Sequence, residues 1–173
     1  MNTVKVPARD EDPLLTLYAH YYLPAELMFE NYKRLLNKWQ KQGRLAPGES
    51  LKYRIYFGTW LGLLGVVTEG FKQLAVRKLI QDARPSDFIE LVPECNALGR
   101  LLNKHDSELR KFRNKIFHLR DTATDIIGFL TAQGRLEWAE EVQSSFKKFF
   151  SNYRVFCEVH YILQGEVHRK SLH

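Results

Sequence analysis

Cysteine is scarce in this 173-residue sequence, with only Cys95 and Cys157. The two lie far apart in the chain, and neither belongs to a CxxC pair. This excludes a disulfide framework and a zinc site built on paired cysteines. Both residues are predicted to be small, buried, apolar side chains.

Long hydrophobic runs are also missing. The longest nearly apolar run covers residues 57–67, which is too short to cross a bilayer. The first dozen residues contain no apolar segment of the kind found in secretory signal peptides. These absences predict a cytoplasmic protein with no membrane contact.

No stretch shows the sustained alternation of apolar and polar residues that marks a half-buried strand, and there is no internal repeat. The fold class is therefore predicted to be all-α, a compact bundle of four to five helices. With 45% hydrophobic residues the chain can bury one substantial core. We expect a flexible N-terminal tail over residues 1–12, one helical domain over 13–165 and a C-terminal tail over 166–173.

Helical spacing of apolar residues and short interruptions divide the domain. A helix is predicted over 13–43 with a bend or new start at Pro24, and a turn follows at 45–49. Further helices are predicted over 50–81, over 88–104, from about 106 and over 135–164, with a partly helical connection at 122–134.

The helix predicted over 50–81 is too apolar to lie on the surface and should be central. It contains Gly58, Gly62, Gly65 and Gly70, each of which lowers helix stability. Such a cost is usually accepted where neighbouring backbones come close. We therefore expect tight helix packing along this face.

Acidic residues are outnumbered: 26 Lys plus Arg face 20 Asp plus Glu, giving a formal charge of +6 and a sequence pI of about 9.3. The excess favours an anionic polymer or surface as partner. It also fits a charge that merely keeps a small protein soluble.

One segment, residues 107–121, combines basic residues with chemistry-bearing ones. On a helix, one apolar stripe would hold Leu109, Phe112, Ile116 and Leu119. Asn114 and His118 then share the opposite side, and Arg113 lies at the stripe's edge with a side chain long enough to reach that side. The surrounding cations, which we predict to bind RNA, are Arg110, Lys111, Lys115 and Arg120.

This set suits cleavage of an RNA phosphodiester by its own 2′-hydroxyl. The reaction requires proton transfer, which a histidine performs near neutral pH. It also requires stabilisation of the growing phosphate charge, for which arginine offers a fixed fork of donors. No carboxylate cluster or Cys/His ligand spacing lies beside the segment, so we predict metal-independent chemistry and no cofactor.

The run Arg113-Asn114-Lys115-Ile116-Phe117-His118 resembles the R-x4-6-H motif of HEPN domains, in which a polar residue, often Asn, follows the Arg. The resemblance implies an α-helical bundle whose active members are ribonucleases of toxin–antitoxin, abortive-infection and CRISPR systems. It implies a homodimer whose two motifs face one cleft. Arg113 would bind the scissile phosphate, His118 would transfer protons, and Asn114 would orient phosphate or imidazole.

The spacing alone is weak evidence, since Arg100 with His105 and Arg154 with His160 also match it. Only Arg113 is followed by Asn. His118 also fits a plain surface histidine on a basic helix. His160 shares an apolar stripe and is predicted to be a hydrogen-bonded core histidine.

Two further residues are candidates for supporting roles. Glu69 is the one acid within the apolar centre of the 50–81 helix, and Arg113 is its plausible partner, which would hold the arginine in place. An exposed Glu on a partly wet helix is the alternative. Phe117 is a candidate for the dimer contact, and a simple core residue is the alternative.

The leading hypothesis is thus an endoribonuclease toxin or antiphage defence effector, held in check by an antitoxin or regulatory protein. A non-catalytic RNA- or protein-binding HEPN-like module is the second hypothesis. A basic DNA-binding protein is the third, although no helix-turn-helix pattern is found.

Overall fold

The computed structural model describes residues 4–117 and 122–163, and every regular element in these two ranges is helical. In chain order the helices are α1 (Pro13–Leu17), α2 (Leu23–Gln42), α3 (Pro47–Gln73), α4 (Val76–Ala83), α5 (Val92–Leu102), α6 (Asp106–Phe117), α7 (Thr122–Thr131) and α8 (Arg135–Leu163). A π-helical turn (Tyr18–Tyr22) joins α1 to α2, and a 3-10 helix (Ser86–Leu91) precedes α5. The all-α prediction is confirmed, although the bundle contains more helices than the four or five expected.

Prolines and glycines set several of the helix ends. Near Pro24, where a bend or a new helix start was predicted, the π-helical turn ends at Tyr22 and α2 begins at Leu23, so that the proline, which cannot donate a helical hydrogen bond, lies in the first turn of α2. Gly43 ends α2 with a positive φ of 67°, and Pro47 begins α3. The turn predicted at 45–49 is therefore shifted: the link between α2 and α3 covers residues 43–46, and residues 47–49 already belong to α3.

The prediction is wrong for the helix over 50–81 and for the segment 122–134. The helix expected over 50–81 begins at Pro47 and ends at Gln73, and the chain turns at Ala75, which has a φ of 45°. The turn allows Val76 and Ile80 of α4 to reach the core. The segment 122–134, expected to be only partly helical, is largely the helix α7, which buries Ile126 and Phe129.

The core surrounds α3, as its composition predicts. Its residues Trp60, Leu61 and Leu64 are fully buried, and α8 contributes Phe146 and Phe149 from the other side. The buried face of α8 also includes Trp138, Val142 and Tyr153, whereas Leu163 at the end of the helix is 76% exposed.

One group of polar side chains in this core is mutually hydrogen-bonded. The Trp60 indole donates to Oε1 of Gln143 at 2.9 Å, and the Gln143 amide in turn donates to Glu26. The Tyr22 hydroxyl also donates to Glu26, at 2.8 Å. This arrangement satisfies side chains that would otherwise be costly to bury.

The N-terminal segment is not the loose tail that its composition predicts. Within the described residues 4–12, Val6 is buried and the Pro7 carbonyl accepts from the Tyr161 hydroxyl at 2.8 Å. Asp12 is fully buried: Oδ1 caps α1 by accepting from Leu14 N at 2.8 Å.

The second oxygen of Asp12 accepts from the Tyr153 hydroxyl at 2.6 Å and lies 3.0 Å from Nη2 of Arg84. A buried carboxylate requires such partners, and they fix the start of the bundle to α8. The C-terminal boundary expected near 165 and the tail beyond it lie outside the described residues.

Cys95 and Cys157 are free and buried, as expected. Burial raises the pKa of each thiol to about 12, so both are neutral at physiological pH. Among the helices described, none is long and apolar enough to cross a membrane.

Candidate functional site

The motif helix α6 lies directly on a glycine face of α3. A Cβ added at Gly58 would lie 3.1 Å from Cδ1 of Ile116, and one at Gly62 would lie 3.1 Å from the ring of Phe117. One added at Gly65 would lie 3.0 Å from Cβ of Arg113. These separations leave almost no room for a side chain on α3, so the predicted tight packing is confirmed along this face.

Arg113 is held in one orientation by two neighbours. Nη1 forms an ion pair with Oε2 of Glu69, while Nε and Nη2 both donate to Oδ1 of Asn114, at 3.1 and 2.7 Å. A guanidinium has five N–H donors, and these three contacts leave two for a ligand. The side chain as a whole is 22% exposed.

Glu69 therefore contacts Arg113, as expected, and its carboxylate is partly exposed at 32%. Its other oxygen accepts from Nε2 of Gln73 at 3.4 Å. An ion pair this exposed contributes under about 1 kcal/mol to stability. Its effect is to fix where the guanidinium points.

Asn114 is exposed and uses its amide oxygen on Arg113. Sequence reasoning assigned it to the phosphate or the imidazole and missed this contact with its neighbour. Because the oxygen faces Arg113, the amide NH₂ is directed away and can donate to another group. His118 and Arg120 lie outside the described residues.

A groove of about 170 Å³ between α3 and α6 adjoins Glu69. Its lining includes Thr68, Lys72, Gln73 and Arg110, together with the apolar Gly65 and Leu109. The buried Thr68 hydroxyl has no hydrogen-bond partner among the described residues. A buried unpaired hydroxyl is costly, and a ligand or water in the groove would satisfy it.

No protein-family model, curated protein or solved structure matches this chain.

The cations predicted to bind RNA differ in their surroundings. Lys111 lies 3.2 Å from Glu108, and Lys115 forms an ion pair with Asp125 of α7. Arg110 lines the groove and has no carboxylate partner among the described residues. The positive face expected of α6 is thus partly neutralised.

Of the two ion pairs of Lys111 and Lys115, only the first could be predicted from the sequence. Glu108 and Lys111 are three residues apart on one helix, a spacing that brings side chains together. Asp125 was missed because α7 was expected to be only partly helical.

Two other histidines, His105 and His160, have structural partners. Nε2 of His160 lies 2.8 Å from Asp87, and its ring contacts Phe88 with 5.4 Å between centroids. This agrees with a hydrogen-bonded histidine at the edge of the core. The His105 ring meets Trp138 edge-on.

Within the described residues, no three His, Cys, Asp or Glu side chains form a group able to hold a metal ion.

Proposed function

We propose that this protein is a metal-independent endoribonuclease that cleaves RNA by attack of a 2′-hydroxyl on the adjacent phosphorus. The observation that carries the proposal is the Arg113 guanidinium, held by Glu69 and Asn114 with two N–H donors unused. Such a fixed, partly exposed fork suits a phosphate whose charge grows during reaction. His118 follows Asn114 by four residues in the sequence and supplies the titratable group.

In the proposed reaction a base removes the proton of the 2′-hydroxyl, whose oxygen then bonds to phosphorus. The bond from phosphorus to the 5′-oxygen breaks, and an acid gives that oxygen a proton. The products are a 2′,3′-cyclic phosphate and a 5′-hydroxyl. His118 transfers a proton, while Arg113 binds the phosphate oxygens.

One chain offers one Arg113 and one His118, whereas the reaction moves two protons. A symmetric homodimer with the two motifs facing one cleft would supply both histidines. Phe117 supports this arrangement, because its ring covers Gly62 yet remains 49% exposed. We propose that this exposed part contacts the second copy.

The proposed biological role is that of a toxin or antiphage defence effector in the cytoplasm, restrained by an antitoxin or regulatory protein. The second candidate is a non-catalytic module that binds RNA or a protein. Its protein-binding form is favoured by the carboxylates beside Lys111, Lys115 and Arg113, which reduce the positive field that α6 would offer to RNA.

The two candidates are separated by the products of a cleavage assay. End-labelled RNA incubated with the purified chain and a metal chelator should yield fragments ending in a 2′,3′-cyclic phosphate. Fragments ending in 3′-hydroxyls, formed only with a divalent ion, would refute the proposed mechanism. Binding of intact RNA without any cleavage would favour the module.

A further inference from the structure

A second groove, larger than the one beside Glu69, lies between α4 and α5 and has a volume of about 690 Å³. Six polar residues line it: Lys72, Arg77, Lys78, Asn96, Arg100 and Asn103. Four of them are cations, and no carboxylate from the described residues joins the lining. Its chemistry is therefore that of a site for a polyanion.

These cations are available to a ligand. Arg77, Lys78 and Arg100 are exposed and have no carboxylate partner within the described part of the chain. This contrasts with Lys111 and Lys115 on α6, which face Glu108 and Asp125. Holding several like charges together without counterions costs free energy, and a bound polyanion would remove that cost.

The two grooves share one lining residue, Lys72. Its ammonium donates to Asn103 at 3.2 Å and forms an ion pair with Asp106. Lys72 follows Glu69 by three residues on α3, a rise of about 4.5 Å along the helix axis. The larger groove therefore begins about one helical turn from Glu69, the residue that holds Arg113, and a strand whose phosphate lies at Arg113 would have it within reach.

We infer that the groove between α4 and α5 binds the sugar–phosphate backbone of the RNA strand beyond the cleavage point. This inference rests on the proposed ribonuclease function for its choice of ligand. Arg, Lys and Asn side chains are common partners of phosphate and sugar. The one aromatic residue in the lining, Phe71, is buried against Phe146 and Phe149 and offers no free face for a base. The groove should thus add affinity without sequence preference.

The test compares two charge-matched double variants of the full chain. Arg77→Gln with Arg100→Gln removes two groove cations. Lys41→Gln with Arg44→Gln removes two exposed cations near the start of α3, which is about 40 Å long and ends beside Lys72. The probe is a fluorescent single-stranded 2′-O-methyl RNA, which lacks the attacking hydroxyl and so reports binding alone.

The groove variant should bind this probe roughly tenfold more weakly than wild type. The slope of log affinity against log salt should fall by about 1.4, because single strands contribute about 0.7 per phosphate contact. The control variant should bind within about twofold of wild type. If wild type cleaves no RNA while the groove variant still loses affinity, the groove is supported and the ribonuclease proposal fails.

Three results would overturn the inference. One is equal affinity of the groove variant and wild type. Another is an equal loss in the control variant, which would indicate net charge alone. The third is the absence of any binding of the probe by the wild-type chain.

Discussion

The contact between α3 and α6 makes a quantitative prediction for Gly65→Ala. The added methyl would lie 3.0 Å from Cβ of Arg113 and 3.5 Å from the carbonyl oxygen of Leu109. Neither atom can rotate away, so α6 itself has to move. The crowding should cost about 2 kcal/mol, against a gain of about 1 kcal/mol from replacing glycine in a helix. The free energy of unfolding of the variant should therefore be about 1 kcal/mol lower than that of wild type.

Two other glycines calibrate this value. Gly128 is exposed on α7, and a Cβ there meets nothing within 4 Å, so Gly128→Ala should stabilise the fold by about 1 kcal/mol. At Gly58 the added methyl meets the terminal methyls of Ile116 and Ile126, which can shift. The stability of Gly58→Ala should therefore lie between those of Gly65→Ala and Gly128→Ala.

Urea unfolding followed by circular dichroism measures these differences, provided that the denaturant slopes agree. Gly65→Ala should also lower RNA cleavage more than its stability requires, because the displaced α6 holds Arg113. A Gly65→Ala protein as stable as Gly128→Ala would refute the close packing of α6 on α3.

Three further predictions follow from individual contacts. Glu69→Ala should lower kcat for RNA cleavage roughly tenfold, because it releases Arg113. Glu69→Gln should retain most of the wild-type kcat, because its amide oxygen keeps the hydrogen bond to Arg113. Equal losses of kcat in both variants would contradict a positioning role. Burial raises the pKa of Glu26, but hydrogen bonds, above all from Lys147, outweigh it and hold the pKa below its ordinary value. The carboxylate of Glu26 therefore stabilises the fold fully above the unfolded-state pKa of about 4.3, and this stabilisation is lost as the pH falls through the lower folded-state pKa. In Glu26→Gln the free energy of unfolding should fall less steeply as the pH is lowered. A decline as steep as that of wild type would contradict this role of Glu26. For the composite dimer, adding excess His118→Ala protein to wild type under subunit exchange should reduce activity below simple dilution; activity proportional to wild type alone, or a monomer that cleaves RNA, would rule out a shared cleft.

Much of the fold could be predicted because helix periodicity is local. The apolar centre of α3 and its glycines predict a central helix that packs closely against a neighbour, and α6 is that neighbour. The turn at Ala75 could not be predicted, because neither Gly nor Pro marks it. The turn allows Val76 and Ile80 to pack into the core, and the position of the core is set by all the helices of the bundle together.

The packing of the N-terminal segment was missed for a similar reason. In the sequence, nothing distinguishes Asp12 from the other polar residues of an unpatterned stretch. Its partners Arg84 and Tyr153 are distant in the chain. At the candidate site, the pairing of Glu69 with Arg113 could be inferred because Glu69 is the one acid within the apolar centre of its helix, where a carboxylate needs a partner. The pairing of Lys115 with Asp125 could not be inferred without the path of α7.

The most direct test of the ribonuclease proposal compares two histidine variants on labelled RNA in the presence of a chelator. His118→Ala should fold normally and lose cleavage by about 100-fold or more, the usual contribution of a general acid or base. His20→Ala changes an exposed histidine of the π-helical turn, outside the motif, and should cleave as wild type does. Cleavage at the wild-type rate by folded His118→Ala would contradict the account.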